Sequence, residues 1–185
     1  MTKAQLTVLA GPTAVGKGTV VVALAKRYPA LKVSVSATTR DPRPGELNGV
    51  HYYFVSPQEF DAMIERGDML EWALVHGKNK YGTPRGPVDE ALNAGNPVLL
   101  EIDVAGARQV RANRPDAQFI FLAPPSWEEL QRRLIGRGTE GPEEQARRLA
   151  TARVELEAAS EFDHVVINDD VERAVDELAR LIGLE

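Results

Sequence analysis

A glycine-rich loop near the start of the chain limits the folds that are open to it. Residues 11–17, GPTAVGK, match the first seven positions of the motif G-x-x-x-x-G-K-[ST]. In this motif, backbone N–H groups turn inward around phosphate oxygens, and the following helix adds the positive end of its dipole. Residues 5–10 predict a buried strand before the loop, and residues 19–27 predict a helix after it. This order predicts a binding site for the phosphates of a nucleoside triphosphate.

The residues assigned to the triphosphate site are Gly11, Pro12, Thr13, Ala14, Val15, Gly16, Lys17, Gly18 and Thr19. Lys17 supplies a mobile positive charge for the β and γ phosphates. Gly18 departs from the motif, because Ser or Thr usually stands there and gives its hydroxyl to Mg²⁺. The spelling G-K-G-T resembles the loop of adenylate kinases, so the departure does not predict an inactive site. We expect Mg²⁺ to be held mainly by nucleotide phosphates and water, without a metal site built from side chains.

Hydrophobic patterns and turn residues divide the rest of the chain into strands and helices. Further strands are predicted at 32–36, 52–55, 70–75, 98–102, 119–122 and 164–167. Further helices are predicted at 56–66, 87–94, 105–113, 126–135, 142–159 and 171–184. Ser56 and Ser126 each begin a capping box, in which a glutamate follows three residues later.

Strands alternate with helices at the start, in the middle and at the end of the chain. This order predicts an α/β fold in which helices cover both faces of a parallel sheet. Residues 36–96 break the alternation and predict a smaller mixed α/β lobe inserted beside the core. A length of 185 residues predicts a single domain.

Composition and charge argue against several classes of protein. The chain has no cysteine, which excludes disulfides and thiolate metal sites. Its net charge of -5 argues against a nucleic acid polymer as a partner. No apolar run is long enough to span a bilayer, and the first residues do not have the pattern of a signal peptide. We therefore expect a cytoplasmic location, with no membrane and no obligate protein partner.

The segment 34–46, SVSATTRDPRPGE, resembles the signature S-x-T-T-R-x-P-R-x-G-E of guanylate kinases. Similar stretches follow in order at 49–54 (GVHYYF), 70–73 (LEWA), 81–83 (YGT), 101–103 (EID), 122–125 (LAPP), 136–140 (GRGTE) and 166–168 (VIN). The resemblance covers nearly the whole chain. It implies a P-loop kinase that transfers the γ-phosphoryl group of ATP to GMP, and to dGMP, giving ADP and GDP in purine nucleotide metabolism.

The resemblance also implies how the single domain 1–185 is divided. The P-loop kinase core is expected at about 1–35, 97–125 and 160–185. The GMP-binding lobe is expected at about 36–96, and a helical lid at about 126–159. Glycines at positions 136, 138 and 141 predict a lid backbone that can move, and we expect nucleotide binding to close both the lid and the lobe.

Guanine presents N–H donors at N1 and N2 beside its O6 acceptor, whereas adenine presents an acceptor at N1. Carboxylates facing that edge therefore favour guanine. The resemblance implies that Glu71 and Asp103 supply these carboxylates and that the hydroxyls of Ser36 and Thr83 meet O6. Asp103 ends an apolar strand, so capping the next helix and contacting the water shell of the metal stay open as alternatives.

For the phosphate of GMP, the resemblance implies a clamp formed by Arg40, Arg43, Tyr52 and Tyr81. Guanidinium groups suit this task because they bind phosphate through two parallel N–H groups. Two arginines in a proline-rich loop would otherwise be ordinary surface residues. The matching Ser-Thr-Thr beside them and the downstream tyrosines favour the phosphate clamp.

Catalysis is implied to depend on positive charge, because the attacking group is a phosphate oxygen that needs no separate base. The residues implied as catalytic are Lys17, Arg40, Arg133, Arg137 and Arg148. Pairing with helix glutamates is the alternative for such arginines, and it fits Arg132 and Arg147 better. Asn168 lies in a stretch similar to the family's adenine-binding side, although an Asn that ends a strand is equally a turn residue.

Two other functions remain as alternatives. A kinase for another nucleoside monophosphate agrees with G-K-G-T, but Ser36, Glu71, Thr83 and Asp103 argue against it. A catalytically silent interaction module of the same family would commonly lack a working phosphate loop. Lys17 and the arginines of this chain argue against that module.

Overall fold

The chain forms two β-sheets with helices packed around them. The computed structural model describes residues 4–136 and 138–185. The strands are β1 (Leu6–Ala10), β2 (Lys32–Val33), β3 (Ala37–Thr38), β4 (Tyr53–Phe54), β5 (Met69–Val75), β6 (Asn79–Pro84), β7 (Val98–Glu101), β8 (Gln118–Ala123) and β9 (His164–Ile167). The helices are α1 (Lys17–Arg27), α2 (Pro57–Glu65), α3 (Arg85–Asn93), α4 (Val104–Asn113), α5 (Trp127–Ile135), α6 (Pro142–Glu157) and α7 (Val171–Ile182). Within the described residues, no helix has the length and apolarity needed to cross a membrane.

The larger sheet has the order β2-β7-β1-β8-β9, and each pair of neighbouring strands is parallel. Every residue of the central strand β1 is buried, as its almost wholly apolar sequence LTVLA predicts for a strand covered on both faces. Val8 belongs to the apolar layer under α4, whereas Leu9 packs with residues of α1 and α7 on the opposite face. The predicted parallel sheet with helices on both faces is confirmed.

The smaller sheet has the order β4-β3-β6-β5. β3 pairs parallel with β4 and antiparallel with β6, and β5 and β6 form an antiparallel hairpin. In the hairpin turn, His76 and Gly77 have φ angles of 53° and 66°. Phe60 of α2 is fully buried and packs with Ala37 and Met69. The predicted mixed α/β lobe is therefore present beside the core.

Both predicted capping boxes lie at helix N-termini. The hydroxyl of Ser56 accepts a hydrogen bond from the N–H of Glu59, and that of Ser126 accepts one from Glu129, each at 3.1 Å. Each cap satisfies an N–H that the helix leaves unpaired and stabilises its helix by about 1 kcal/mol. α2 and α5 consequently begin where the sequence predicts.

Strand β6 was not predicted from the sequence. Its residues, NKYGTP, include Gly and Pro and lack the alternation of a strand that packs one face on a core. The strand forms because it lies between β3 and β5 and pairs with both. Gly82 is required at this position, because a Cβ there would lie 2.6 Å from the carbonyl oxygen of Glu71.

The predicted strand at 32–36 is divided between the two sheets. Ser34 N–H still donates to Leu99 O of β7 in the core, whereas Ser36 O accepts from Tyr53 N of β4 in the lobe. One extended segment therefore runs from one sheet into the other. Its sequence predicts an extended conformation correctly but does not indicate which strands it pairs with.

Candidate functional site

The glycine-rich segment 11–17, called the phosphate loop below, joins β1 to α1 by a sharp turn of the backbone. Ala14 and Gly16 have φ angles of 69° and 96°, and the N–H of Val15 donates to Pro12 O at 3.2 Å. Gly11 has no room for a side chain, because a Cβ there would lie 2.4 Å from the carbonyl oxygen of Leu122. The loop can lie against β8 only because residue 11 is glycine.

Lys17 lies at the first turn of α1 and folds back over the phosphate loop. Its Nζ donates to Gly11 O at 2.7 Å and to Pro12 O at 3.4 Å. Burial lowers the pKa of Lys17, and the carboxylates of Glu155, Glu101 and Asp103 oppose that shift, in decreasing order. The ammonium group of Lys17 is therefore partly desolvated next to the loop, with the carboxylates of Glu155, Glu101 and Asp103 around it.

The carbonyl oxygen of Val15 receives hydrogen bonds from two distant parts of the chain. Asn168, at the end of β9, donates through Nδ2 at 2.8 Å, and Arg133 of α5 donates through Nη1 at 3.2 Å. Asn168 is buried, and a Cβ on Gly16 would lie 2.8 Å from its Nδ2. Asn168 thus holds the phosphate loop, a contact that its position at a strand end does not indicate.

Glu71 of the lobe strand β5 and Asp103, which follows the core strand β7, lie close together beside Gly106. A Cβ on Gly106 would lie 3.0 Å from Glu71 Oε2 and 3.1 Å from Asp103 Oδ1. Asp103 also caps α4, because its Oδ1 accepts a hydrogen bond of 2.7 Å from the N–H of Gly106. The cap considered from the sequence is therefore formed, and the two predicted carboxylates are neighbours.

Glu71 is buried in the lobe sheet beside a hydroxyl group. Thr83 Oγ1 donates to Glu71 Oε1 at 2.8 Å, and the two residues face each other across β5 and β6. Burial raises the pKa of Glu71 and the Asp103 carboxylate adds to the rise, whereas the hydrogen bond from Thr83 lowers it. The register that pairs Ala37 with Gly82 puts Ser36 opposite Thr83. Ser36, Thr83 and Glu71, which were all predicted to contact guanine, are therefore neighbours on adjacent strands.

Arg40 lies over the ring of Tyr52, which in turn contacts Tyr81. Its guanidinium carbon is 5.2 Å from the ring centre of Tyr52, and that ring meets Tyr81 edge-on with 6.0 Å between the centres. Tyr81 and Thr83 lie two positions apart on β6, so they point to the same face of the sheet. Arg40, Tyr52 and Tyr81 therefore come together, and Arg43 lies exposed nearby on the same loop.

Glu46 is a site residue that the sequence interpretation did not assign. Its carboxylate forms a bidentate ion pair with Arg40, at 2.9 Å from Oε1 to Nη1 and 3.1 Å from Oε2 to Nη2. The only signal for it in the sequence is the last letter of the R-x-G-E part of the signature. Arg40 is therefore already paired within its own loop.

Arg133 and Arg148, two of the predicted lid arginines, line a cavity of about 430 Å³ between α5 and α6. Arg133 lies 3.4 Å from Glu129, and Arg148 forms an ion pair of 2.7 Å with Glu140. Arg132 and Arg147 pair with glutamates three positions away on their own helices. Arg137, which was also predicted to be catalytic, lies outside the described residues.

Gly18 leaves space at the position where the motif usually places a hydroxyl group for Mg²⁺. A Cβ on Gly18 would have Glu101 Oε1 at 3.7 Å as its one close neighbour, so the space for a hydroxyl exists but the hydroxyl does not. In residues 4–136 and 138–185, no three His, Cys, Asp or Glu side chains are grouped as a metal site. Carboxylates beside Lys17 still provide acceptors for metal-bound water.

The matching family model and two similar proteins all carry the same name. The sequence model of guanylate kinase matches residues 3–185. A guanylate kinase of Thermobifida fusca (strain YX) is 61% identical over 179 residues, which are 97% of this chain and 91% of that protein. One of Leifsonia xyli subsp. xyli (strain CTCB07) is 60% identical over 178 residues, covering 96% of this chain and 70% of the relative.

The fold agrees with solved structures of kinases. The crystal structure of guanylate kinase from Anaplasma phagocytophilum matches with a TM-score of 0.73 at 32% identity, covering 97% of this chain and 85% of that one. Shikimate kinase from Bacteroides thetaiotaomicron matches with a TM-score of 0.51 at 14% identity, which shows a shared fold alone. Because the sequence model of the family matches residues 3–185, this chain belongs to the guanylate kinase family.

Proposed function

We propose that this chain is an ATP:GMP phosphotransferase, which converts ATP and GMP, or dGMP, to ADP and GDP, or dGDP. The observation that carries the proposal is the buried Glu71, which contacts Thr83 on one side and neighbours Asp103 on the other. Asp103 in turn lies close enough to Lys17 to affect its pKa. These contacts support a guanine site formed by the two carboxylates close to the phosphate loop.

The donor nucleotide would bind at the phosphate loop. The residues proposed to bind ATP are Gly11, Pro12, Thr13, Ala14, Val15, Gly16, Lys17, Gly18, Thr19 and Asn168. The backbone N–H groups of the loop and the N-terminus of α1 would hold the phosphates. Lys17 would exchange its hydrogen bonds to Gly11 and Pro12 for phosphate oxygens, which offer a full negative charge instead of a carbonyl dipole.

The acceptor nucleotide would bind across the lobe sheet. Glu71 and Asp103 would accept hydrogen bonds from N1 and N2 of guanine, and Ser36 and Thr83 would meet O6. Adenine would leave these groups unpaired once the bound base covers them, which costs about 1–3 kcal/mol for each group. The phosphate of GMP would lie against Arg40, Arg43, Tyr52 and Tyr81. Selectivity for guanine would follow from the number of unpaired groups that adenine leaves.

In the reaction, an oxygen of the GMP phosphate forms a bond to the γ-phosphorus of ATP. The bond from that phosphorus to the β,γ-bridging oxygen breaks, and this oxygen leaves on ADP. The acceptor oxygen is already negatively charged near neutral pH, so no side chain has to remove a proton. Lys17, Arg40, Arg133, Arg137 and Arg148 are proposed to stabilise the charge that spreads over the transferred group. Mg²⁺, held by phosphate oxygens and water, would neutralise further charge there.

The arrangement of the chain suits a site that closes over both nucleotides. We assign the core to about 1–35, 97–125 and 160–185, the GMP-binding lobe to 36–96 and the lid to 126–159. Arg133 and Arg148 now contact Glu129 and Glu140 within the lid. On closure they would exchange these partly exposed pairs, which stabilise the lid only weakly, for contacts with the phosphates. Closure would also exclude the water that otherwise hydrolyses ATP.

A coupled assay of ADP release with AMP, GMP, CMP and UMP tests the proposal. We expect turnover with GMP and at most about a thousandth of its kcat/KM with AMP. Lys17→Met is expected to abolish turnover, whereas Lys26→Met, on the exposed end of α1, is the matched control and should behave as wild type. Preference for another monophosphate would identify a different kinase of the same class. Peptide binding without ATP turnover would identify a silent interaction module.

A further inference from the structure

We propose that Glu46 is a positioning residue for the acceptor phosphate and that it acts through Arg40. The proposal rests on the proposed function, in which Arg40 binds the phosphate of GMP. Both side chains of the ion pair are mostly covered, since that of Glu46 is 18% exposed and that of Arg40 is 14% exposed. Glu46 is therefore not an ordinary surface charge. The pair is therefore partly shielded from water, which strengthens it compared with an exposed pair.

The hydrogen bonds of Arg40 to Glu46 and Asp41 leave one edge of its guanidinium group available among the described residues, with the Tyr81 hydroxyl beside it. Nη1 donates to Glu46 Oε1 and to the carbonyl oxygen of Asp41 at 3.0 Å, and Nη2 donates to Glu46 Oε2. A guanidinium group carries five N–H donors. These three bonds leave one N–H on Nη2 and the N–H on Nε, which lie on the same edge. That edge is a second fork, with the geometry that binds two oxygens of a phosphate.

Two aromatic rings lie beside this second fork. The guanidinium carbon of Arg40 lies over the ring of Tyr52, and the ring of Tyr81 meets that ring edge-on. The hydrogen bond to Glu46 is the largest cause that raises the pKa of Arg40, and the hydroxyl of Tyr81 contributes as well. The Tyr81 hydroxyl therefore lies beside the guanidinium group, where both would meet the same phosphate.

Glu46 is itself anchored by the loop that carries both arginines. Its Oε1 also accepts a hydrogen bond of 2.7 Å from the backbone N–H of Arg43. Arg40, followed by this backbone bond, lowers the pKa of Glu46 to about 2, so the carboxylate stays ionised at neutral pH. Glu46 thus links the turn at residues 43–46 to the direction of the Arg40 side chain.

This anchoring prepares Arg40 for the phosphate before GMP arrives. An arginine without such a partner would lose the freedom of a long side chain at the moment of binding, which weakens binding. With Glu46 in place, only the edge formed by Nε and Nη2 is offered, in one orientation. Glu46 lowers the net positive charge of the proposed phosphate clamp, but it fixes the geometry on which in-line transfer depends.

The test is Glu46→Gln, measured by steady-state kinetics with GMP and with ATP. The Gln side chain keeps an oxygen that can accept from the N–H of Arg43, so the turn is preserved, but it presents an NH₂ group to Arg40 in place of the second oxygen. We expect the KM for GMP to rise about ten- to a hundredfold and the KM for ATP to stay unchanged. Glu59→Gln, which alters an exposed pair with Arg66, is the matched control.

A double-mutant cycle with Arg40→Lys separates positioning from a general effect on the loop. If Glu46 acts through Arg40, Glu46→Gln adds little to the KM for GMP once Arg40 is Lys. Additive effects, an unchanged KM or tighter GMP binding in Glu46→Gln would each overturn the proposal, and tighter binding would show that Glu46 competes with the phosphate. A wild-type chain that does not use GMP would instead overturn the proposed function, so the two failures are distinguishable.

Discussion

The side-chain amide of Asn168 donates a hydrogen bond of 2.8 Å to the carbonyl oxygen of Val15, 153 positions earlier in the chain. The end of β9 thereby holds the middle of the phosphate loop. Arg133 donates to the same oxygen from α5. A single carbonyl group thus connects the phosphate loop to the end of β9 and to α5.

Replacing Asn168 with Ala should weaken ATP binding. The Val15 carbonyl would lose its shorter hydrogen bond, and we expect a loss of about 1–3 kcal/mol in the free energy of unfolding. The loop would be less well positioned, so the KM for ATP should rise about tenfold while the KM for GMP changes little. Chemical denaturation and steady-state kinetics measure the two effects. Asn93→Ala, at an exposed helix end, should change neither, and equal effects of both variants would contradict the assigned role.

Replacing Glu71 with Gln should reduce the preference for guanine. Gln can still accept from Thr83, but its NH₂ group would face the donors of guanine instead of a carboxylate oxygen. We expect kcat/KM for GMP to fall about a hundred- to a thousandfold, with the KM for ATP unchanged. Glu65→Gln on the exposed end of α2 is the control. Wild-type kcat/KM for GMP in Glu71→Gln would exclude this carboxylate from base recognition.

The same variant should change how stability depends on pH. Burial raises the pKa of Glu71, so the folded chain holds this proton more tightly than the unfolded chain does. The wild type therefore loses stability relative to Glu71→Gln as pH rises from the ordinary carboxyl pKa through the raised value, and the difference is constant above it. Urea denaturation of both proteins between pH about 4 and 8 measures this difference. A wild type that instead gains stability relative to Glu71→Gln as pH rises would contradict the raised pKa.

Replacing Gly18 with Ser should alter the use of Mg²⁺. A side chain fits at this position, since the nearest atom to its Cβ would be Glu101 Oε1 at 3.7 Å. The added hydroxyl would give the metal the ligand that the loop lacks, so the Mg²⁺ concentration for half-maximal activity should fall severalfold. Gly18→Ala adds the same Cβ without the oxygen and should leave that concentration unchanged. Identical shifts in both variants would mean that the hydroxyl does not reach the metal.

The pattern of apolar residues was sufficient to predict the core of the fold. β1, β7 and β8 are buried runs, and each lies where a continuous apolar segment ends in a turn or a helix cap. Strand burial and helix capping depend on neighbours in sequence, so these elements can be inferred locally. The phosphate loop was recognisable for the same reason, because its function requires glycines at a fixed spacing.

The contacts that orient the site depend on residues far apart in sequence. Asn168 and Arg133 meet at Val15 only after β9 and α5 have packed on the core. Glu46 is close to Arg40 in sequence, but the bidentate pair depends on a turn that no periodic pattern marks. A residue whose type is required by the chemistry can be predicted from the sequence. The residues that orient it cannot, because their contacts depend on tertiary packing.

The most direct test of the account follows the γ-phosphoryl group itself. The chain is incubated with [γ-³²P]ATP, Mg²⁺ and GMP, and the nucleotides are separated by thin-layer chromatography. We expect the label to appear in GDP, at its β-phosphoryl group, and to need GMP for its transfer. Label that is released only as inorganic phosphate, or that passes faster to AMP, CMP or UMP when these replace GMP, would contradict the account.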